Sequence, residues 1–265
     1  MESREQIFEE FFTAKWIAED GLARLVPKEE DQKEPHFNVL GQESPRNDNG
    51  ILFLAYFIAI SWAAGIRDQV RTKQLQIGST IERLVRLPFR GLFNRRAAGD
   101  KNPNNVYEAH DNYVGIVALS TLYGFSFTHE ILSYGGRKGW NYNNVEPEVY
   151  RLESQRQPGE VALYWLCAST SPGFIELASL LFGIVINMFK RNPGEHMLTW
   201  LRLFALNHVE IHQWWARVPI VLVSQIWKIV MYFNYDNLFT ITGGYFVEDH
   251  PIRRMAKRLG SEWGF

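Results

Sequence analysis

The chain has 265 residues, of which 46% are hydrophobic and 22% charged, with 28 basic side chains against 29 acidic ones. That composition excludes wholesale disorder, and the balanced charge argues against nonspecific nucleic-acid binding, which draws on a basic surplus. A single cysteine excludes an intrachain disulfide and any multi-cysteine metal site.

The first residues, Met-Glu-Ser-Arg-Glu-Gln, are acidic and polar where a secretory signal is basic and then apolar. A cytoplasmic protein, or one assembled into a particle, is expected. A first amphipathic helix is predicted over 4–24, with Ile7, Phe8, Phe11, Phe12, Trp16 and Ile17 on one face. The polar stretch 28–49 reads as a loop, so residues 1–49 form a helix plus loop packed on the rest of one domain, 1–265.

A helix is expected from Ile51 to about Gln74. Ser79 and Glu82 have capping-box spacing and open a short helix, which Pro88 ends. Residues 89–109, rich in Gly and Asn, read as irregular. A helix over Tyr113–Tyr123 has a partner over Ser126–Tyr134, closed by Gly135-Gly136. Residues 148–156 read as helical. Pro158, Pro172 and Pro193 each open a helix, running to about Thr170, Lys190 and Asn207. A further helix spans about Trp214–Phe233, a turn falls at Gly243-Gly244, and Pro251 starts a last short helix. No period-2 apolar runs bracketed by hairpin turns occur, so the fold class is all-α.

Three apolar stretches, 51–66, 177–189 and 218–233, fall short of the ~18–20 residues that cross a hydrocarbon layer. They read as buried helices, and no membrane span is expected.

Alternate helices begin with related polar residues. Asp48-Asn49-Gly50-Ile51 matches Asp111-Asn112-Tyr113-Val114, and Pro158-Gly159-Glu160 matches Pro193-Gly194-Glu195. The helices after these starts are apolar on more than one face, which marks packing on both sides. The two features together describe a layered array of helical hairpins whose inner helices run parallel. Their N-termini, with unpaired N–H groups and positive dipole ends, then gather on one rim.

Four carboxylates, Asp48, Asp111, Glu160 and Glu195, are the candidate catalytic residues on that rim. Glu43, Asn49, Asn112, Trp140, Tyr142 and Asn143 are candidates for substrate binding. Acids and amides hydrogen-bond hydroxyls, flat rings stack on pyranose faces, and two carboxylates flanking a glycosidic bond can act as acid and base or nucleophile. Each residue also has a structural reading. Asp48 and Asp111 stand where N-caps stand, and Glu160 and Glu195 complete capping boxes. Trp140 and Tyr142 can plug their loop onto the core, and Trp214-Trp215 read as anchors. His208 and His212, four apart, lack a third ligand, so no metal and no cofactor is assigned. His110-Asp111 are adjacent and point in different directions.

The pattern of acidic helix starts and stacked hairpins resembles the (α/α)-toroid families of glycoside hydrolases and polysaccharide lyases, and four inner helices make it an incomplete toroid. The resemblance implies a glycan-processing enzyme, hydrolase or lyase, acting at the rim. The basic run Arg83, Arg86, Arg90, Arg95, Arg96 and Lys101 favours an anionic polysaccharide as partner, or else forms a solvated face. The alternative is a noncatalytic structural or interaction protein with assembly partners, such as a virus-particle subunit, which nine Trp and 18 Phe would serve at interfaces. A binder of small apolar ligands ranks third, because no pair of aspartate-rich metal motifs is present.

Overall fold

A computed structural model describes residues 3–13, 16–19, 21–24, 49–86, 89–94, 110–141, 155–246, 248 and 250–260. Among them the chain is mostly α-helical, as expected, with a single two-stranded hairpin. Helix α1 (Arg4–Phe11) opens with a capping box in which Ser3 and Gln6 satisfy each other's backbone N–H groups. It stops at Phe11, not at residue 24. The apolar residues beyond it reach the core from a turn, where Ile17 bridges to Ala23 and Trp16 and Leu22 are buried.

Helix α2 (Gly50–Ala63) is buried on every face from Gly50 through Ser61. It ends before Gly65, whose φ of +88° breaks the single helix expected over 51–74. Helices α3 (Arg67–Thr72) and α4 (Gln74–Leu84) follow. Ser79 lies inside α4 and starts nothing. Ile77, Thr80, Ile81 and Leu84 form a buried stripe at helical spacing that carries the helix through the local capping signal. Strands β1 (Val85–Arg86) and β2 (Phe89–Phe93) then pair antiparallel where an irregular segment was expected.

Eight helices complete the described chain: α5 (His110–Tyr123), α6 (Phe127–Lys138), α7 (Pro158–Cys167), α8 (Phe174–Phe189), α9 (Pro193–Asn207), α10 (Trp214–Tyr235), α11 (Leu238–Tyr245) and α12 (Pro251–Leu259). Gly135 and Gly136 lie within α6, and Gly139 at φ +61° closes it. Gly243 and Gly244 likewise lie within α11, which Asn237 caps by accepting the Thr240 N–H. Of the stretch 148–156, only Gln155 and Arg156 are described, and Gln155 bridges to Asn141 in extended form.

The contacts at helix ends fix directions. Gly115 of α5 lies against the backbone of Leu52 near the start of α2, α5 packs along α2, and beyond the end of α2 the Tyr123 hydroxyl donates to the carbonyl of Val70 in α3 at 2.8 Å. Helices α2 and α5 therefore run parallel. The starts of α5 and α7 meet through His110 and Glu160, and their ends meet through Thr121 and Cys167. At the end of α9, His208 packs on Trp62 at the end of α2, while its start shares a cavity with the start of α7. Four helices thus point the same way. Helices α8 and α10 return antiparallel to α9, as the pairs Asn187–Thr199 and Tyr235–His196 show at its N-terminal end. Helix α5 packs on both α2 and α9, and α2 also touches α9. The buried side chains of Tyr56, Trp200 and Phe204 occupy the interior.

Helix α10 spans 22 residues, longer than the apolar core 218–233, because Trp214–Arg217 and Asn234–Tyr235 continue its hydrogen bonding. It is the one helix among the described residues with the length and hydropathy to cross a membrane, and a third of that window is buried against the protein.

Candidate functional site

The parallel helices bring three of the four nominated carboxylates to one end of the molecule. Glu160 is the third residue of α7, where Pro158 opens the helix with its fixed φ. Its Oε2 accepts the Gln157 N–H at 3.0 Å, and its Oε1 lies 2.9 Å from Nδ1 of His110. The capping role is therefore real, and it leaves one carboxylate oxygen for the histidine. Burial acts to raise the Glu160 pKa. The His110 hydrogen bond and charge, the Arg156 charge and the Gln157 N–H outweigh that, so the group is held below its ordinary value of 4.5. Glu160 is a buried anion.

Arg156 lies just before α7 and is buried, with its guanidinium 4.3 Å above the Tyr113 ring. Its backbone N–H donates to the Trp140 carbonyl at 3.0 Å. Tyr164, one turn beyond Glu160, is fully buried between the rings of Tyr113 and Trp140. Burial pushes its phenol far up, so it stays a neutral hydroxyl. The Tyr113 hydroxyl accepts the Phe93 N–H at 3.0 Å, which ties β2 to the start of α5.

Glu195 occupies the first turn of α9, half-buried and 3.6 Å from Nζ of Lys190. Arg202 stands two turns further along the same face. Glu160, Glu195, Arg202, Lys190 and Asn187 line a cavity of about 360 Å³, whose other wall is the apolar Leu180, Ile184 and Ile186 of α8. Asp111, half-buried in the first turn of α5, is not among the residues lining that cavity. Burial, Tyr245, Asp111 and Glu195 together push the Tyr56 phenol up, while Arg202 opposes them. One buried hydroxyl thus senses Asp111, Glu195 and Arg202 at once.

Asn112 follows Asp111 and is buried, with neither its amide oxygen nor its amide nitrogen paired. The Asn49 side-chain oxygen is unpaired in the same way. Each such group costs roughly 1–3 kcal/mol unless something satisfies it. Trp140 leans on Gly135 of α6 and faces Tyr164 at 6.0 Å, so its ring is a plug on the core. Asp48, Glu43, Tyr142 and Asn143 lie outside the described residues, as do Arg95, Arg96 and Lys101. Within the basic run, Arg90 bridges Glu82 at 2.8 Å and Glu130 at 3.2 Å, forming an ion-paired face.

Sequence patterns mark neither Arg156 nor Arg202, and they set His110 aside. His110 was paired in sequence with Asp111, whereas its partner in space is Glu160, fifty residues away. No local pattern marks either arginine. The His208–His212 pair does not converge. His208 stacks on Phe204 and bonds its carbonyl at 2.7 Å, while His212 faces Glu210 at 3.8 Å. Among the described residues no cluster of three metal-ligating side chains forms. Cys167 is buried, which pushes its thiol up to about 12 and leaves it inert. No family model matches this chain, and the comparisons with curated proteins and with solved structures likewise return no match.

Proposed function

We propose that the chain is a glycan-processing enzyme acting on an anionic polysaccharide at the N-terminal ends of α5, α7 and α9, within an incomplete toroid-like array of helical hairpins. One observation carries this reading: Glu160 and Glu195, thirty-five residues apart, line a common cavity with Arg202. A carboxylate with a perturbed pKa that lines a cleft, as Glu160 does, is a candidate catalytic group. Glu160, kept as an anion, suits the base or nucleophile role, and His110 against it is a proton carrier. Arg202 and Lys190 supply positive charge for a sugar carboxylate or sulfate. The unpaired amide atoms of Asn112 and Asn49 are closed off from solvent and do not line this cavity, so they are left out of the proposed site.

A panel of acidic and neutral polysaccharides incubated with the protein tests this. New reducing ends report hydrolysis, and absorbance from an unsaturated uronate reports elimination. Glu160→Gln and Asp111→Asn should each lower turnover at least tenfold. Wild-type-like turnover in both variants, or no turnover of any acidic glycan by the wild type, would refute the assignment.

A second reading, a noncatalytic subunit of a larger assembly, is favoured by the apolar side chains exposed along α8 and α10.

A further inference from the structure

Helices α8 and α10 pack side by side on the outside of the molecule. Both run antiparallel to α9, so they lie parallel to each other. Each buries one face and leaves the other apolar and exposed. Phe174 is 80% exposed, Phe189 78%, Trp214 76% and Phe233 82%. At roughly 150–250 Å² per aromatic side chain, these four alone present about 600 Å². That equals the largest apolar patch of a typical monomer, ~300–600 Å². Ile175, Phe182, Leu222 and Ile229 lie between them and are also mostly exposed. With them the face exceeds the ~800 Å² per partner that a standard stable interface buries.

The spacing of the exposed residues indicates what covers the face. On α8, Ile175, Phe182, Val185 and Phe189 follow at steps of seven, three and four. On α10, Val218, Leu222, Ile229 and Tyr232 follow at steps of four, seven and three. This is the seam by which one helix packs into the groove of another. Arg217 and Gln225 stand exposed on the same helix. Polar groups are costly against hydrocarbon, whereas arginine is enriched at protein interfaces.

We infer that this face is a two-fold interface with a second copy of the chain, in which α8 and α10 of each protomer form a four-helix layer. The face is large enough for a stable dimer, and a two-fold contact closes on itself. Ile186 belongs both to the exposed face and to the wall of the rim cavity. The interface edge therefore runs along the cavity mouth, and the second copy narrows access to Glu160 and Glu195.

Light scattering coupled to size exclusion tests this on the full chain at micromolar concentration, without lipid or detergent. The expected mass is twice the chain's 30.8 kDa. The exposed-face variants Phe182→Glu and Ile229→Glu should each return the mass to one chain, with wild-type far-ultraviolet circular dichroism. Leu75→Glu, more exposed still but on α4, should leave the doubled mass unchanged. Tryptophan emission should shift to the blue on dimerisation as Trp214 is covered. A one-chain mass for the wild type overturns the inference, and so does a doubled mass that survives both face variants. A one-chain mass together with flotation on phosphatidylcholine–phosphatidylglycerol vesicles would assign the face to lipid instead. Turnover is not the readout, so the result stands apart from the glycan assignment.

Discussion

Replacing Glu160 with glutamine removes one charge from a buried ionic cluster and changes almost nothing in shape. Glutamine keeps an oxygen for the Gln157 N–H, so the helix cap of α7 survives. What is lost is the charge opposite His110, at 2.9 Å, and near Arg156. Removing one partner of a buried pair costs about 3–5 kcal/mol. The side chains of Glu160 and His110 are 10% and 23% exposed, so water can rehydrate the histidine in part. The expected loss is therefore about 2–3 kcal/mol at neutral pH, below the range for a fully buried pair. In a chain of this size that lowers the melting temperature by roughly 4–12 °C. The pH dependence follows from linkage. The folded-state pKa of Glu160 lies below its unfolded value of 4.5, so its contribution is complete above that pH and is lost as pH falls through the folded value. The gap between wild type and Glu160→Gln should thus be widest near neutrality and close below 4.5. Thermal unfolding followed by circular dichroism across that range measures it. Equal melting at neutral pH, or a gap that does not narrow in acid, would show that Glu160 is not held as an ion pair. Glu195→Gln is the comparator. Its carboxylate is more exposed and 3.6 Å from Lys190, so it should cost under about 1 kcal/mol.

Two other expectations concern the scaffold. His250 caps α12 by accepting the Ile252 N–H, and burial, then the Arg254 charge, lower its pKa from 6.5 to about 3. The folded state excludes a proton that the unfolded state binds, so the stability it confers is complete above 6.5 and is lost as pH falls toward 3. His250→Asn retains a capping oxygen but cannot titrate. It should flatten the decline in stability between those values by about 1.4 kcal/mol per pH unit, read from urea midpoints. An unchanged slope would refute the assignment. Gly91, at φ +91° in β2, lies against the Glu130 carbonyl of α6. Gly91→Ala adds backbone strain and a clash, and should cost about 2–4 kcal/mol in urea unfolding. Gly65→Ala, at a similar φ with open space around it, should cost only about 1–2 kcal/mol. Equal losses at the two sites would mean that the hairpin does not pack on α6.

Much of the helical fold was legible in the chain, because apolar periodicity and proline or asparagine starts act over a few residues. Pro193 and Asn207 bound α9 as expected, and Pro251 opens α12. Boundaries failed where a distant contact outweighed a local signal. Ser79 and Glu82 look like a helix start, yet the stripe buried beneath α4 holds the helix through them. The apolar residues Trp16 and Ile17 read as a continuing helix face but fill the core from a turn. The recurrent acidic starts predict four carboxylates around one hollow, whereas Glu160 and Glu195 line a common cavity, Asp111 does not, and Asp48 lies outside the described residues. Only the tertiary structure supplied the partner of each charge. His110 meets Glu160 across two helices, Arg156 lies over Tyr113, and Arg202 faces the same cavity as Glu195. The exposed wall of α8 and α10 was equally hidden, because an apolar helix reads the same whether its second face meets a neighbour or solvent. Short-range backbone preferences are written in adjacent residues, whereas charge pairing and burial depend on what the chain brings together from far away.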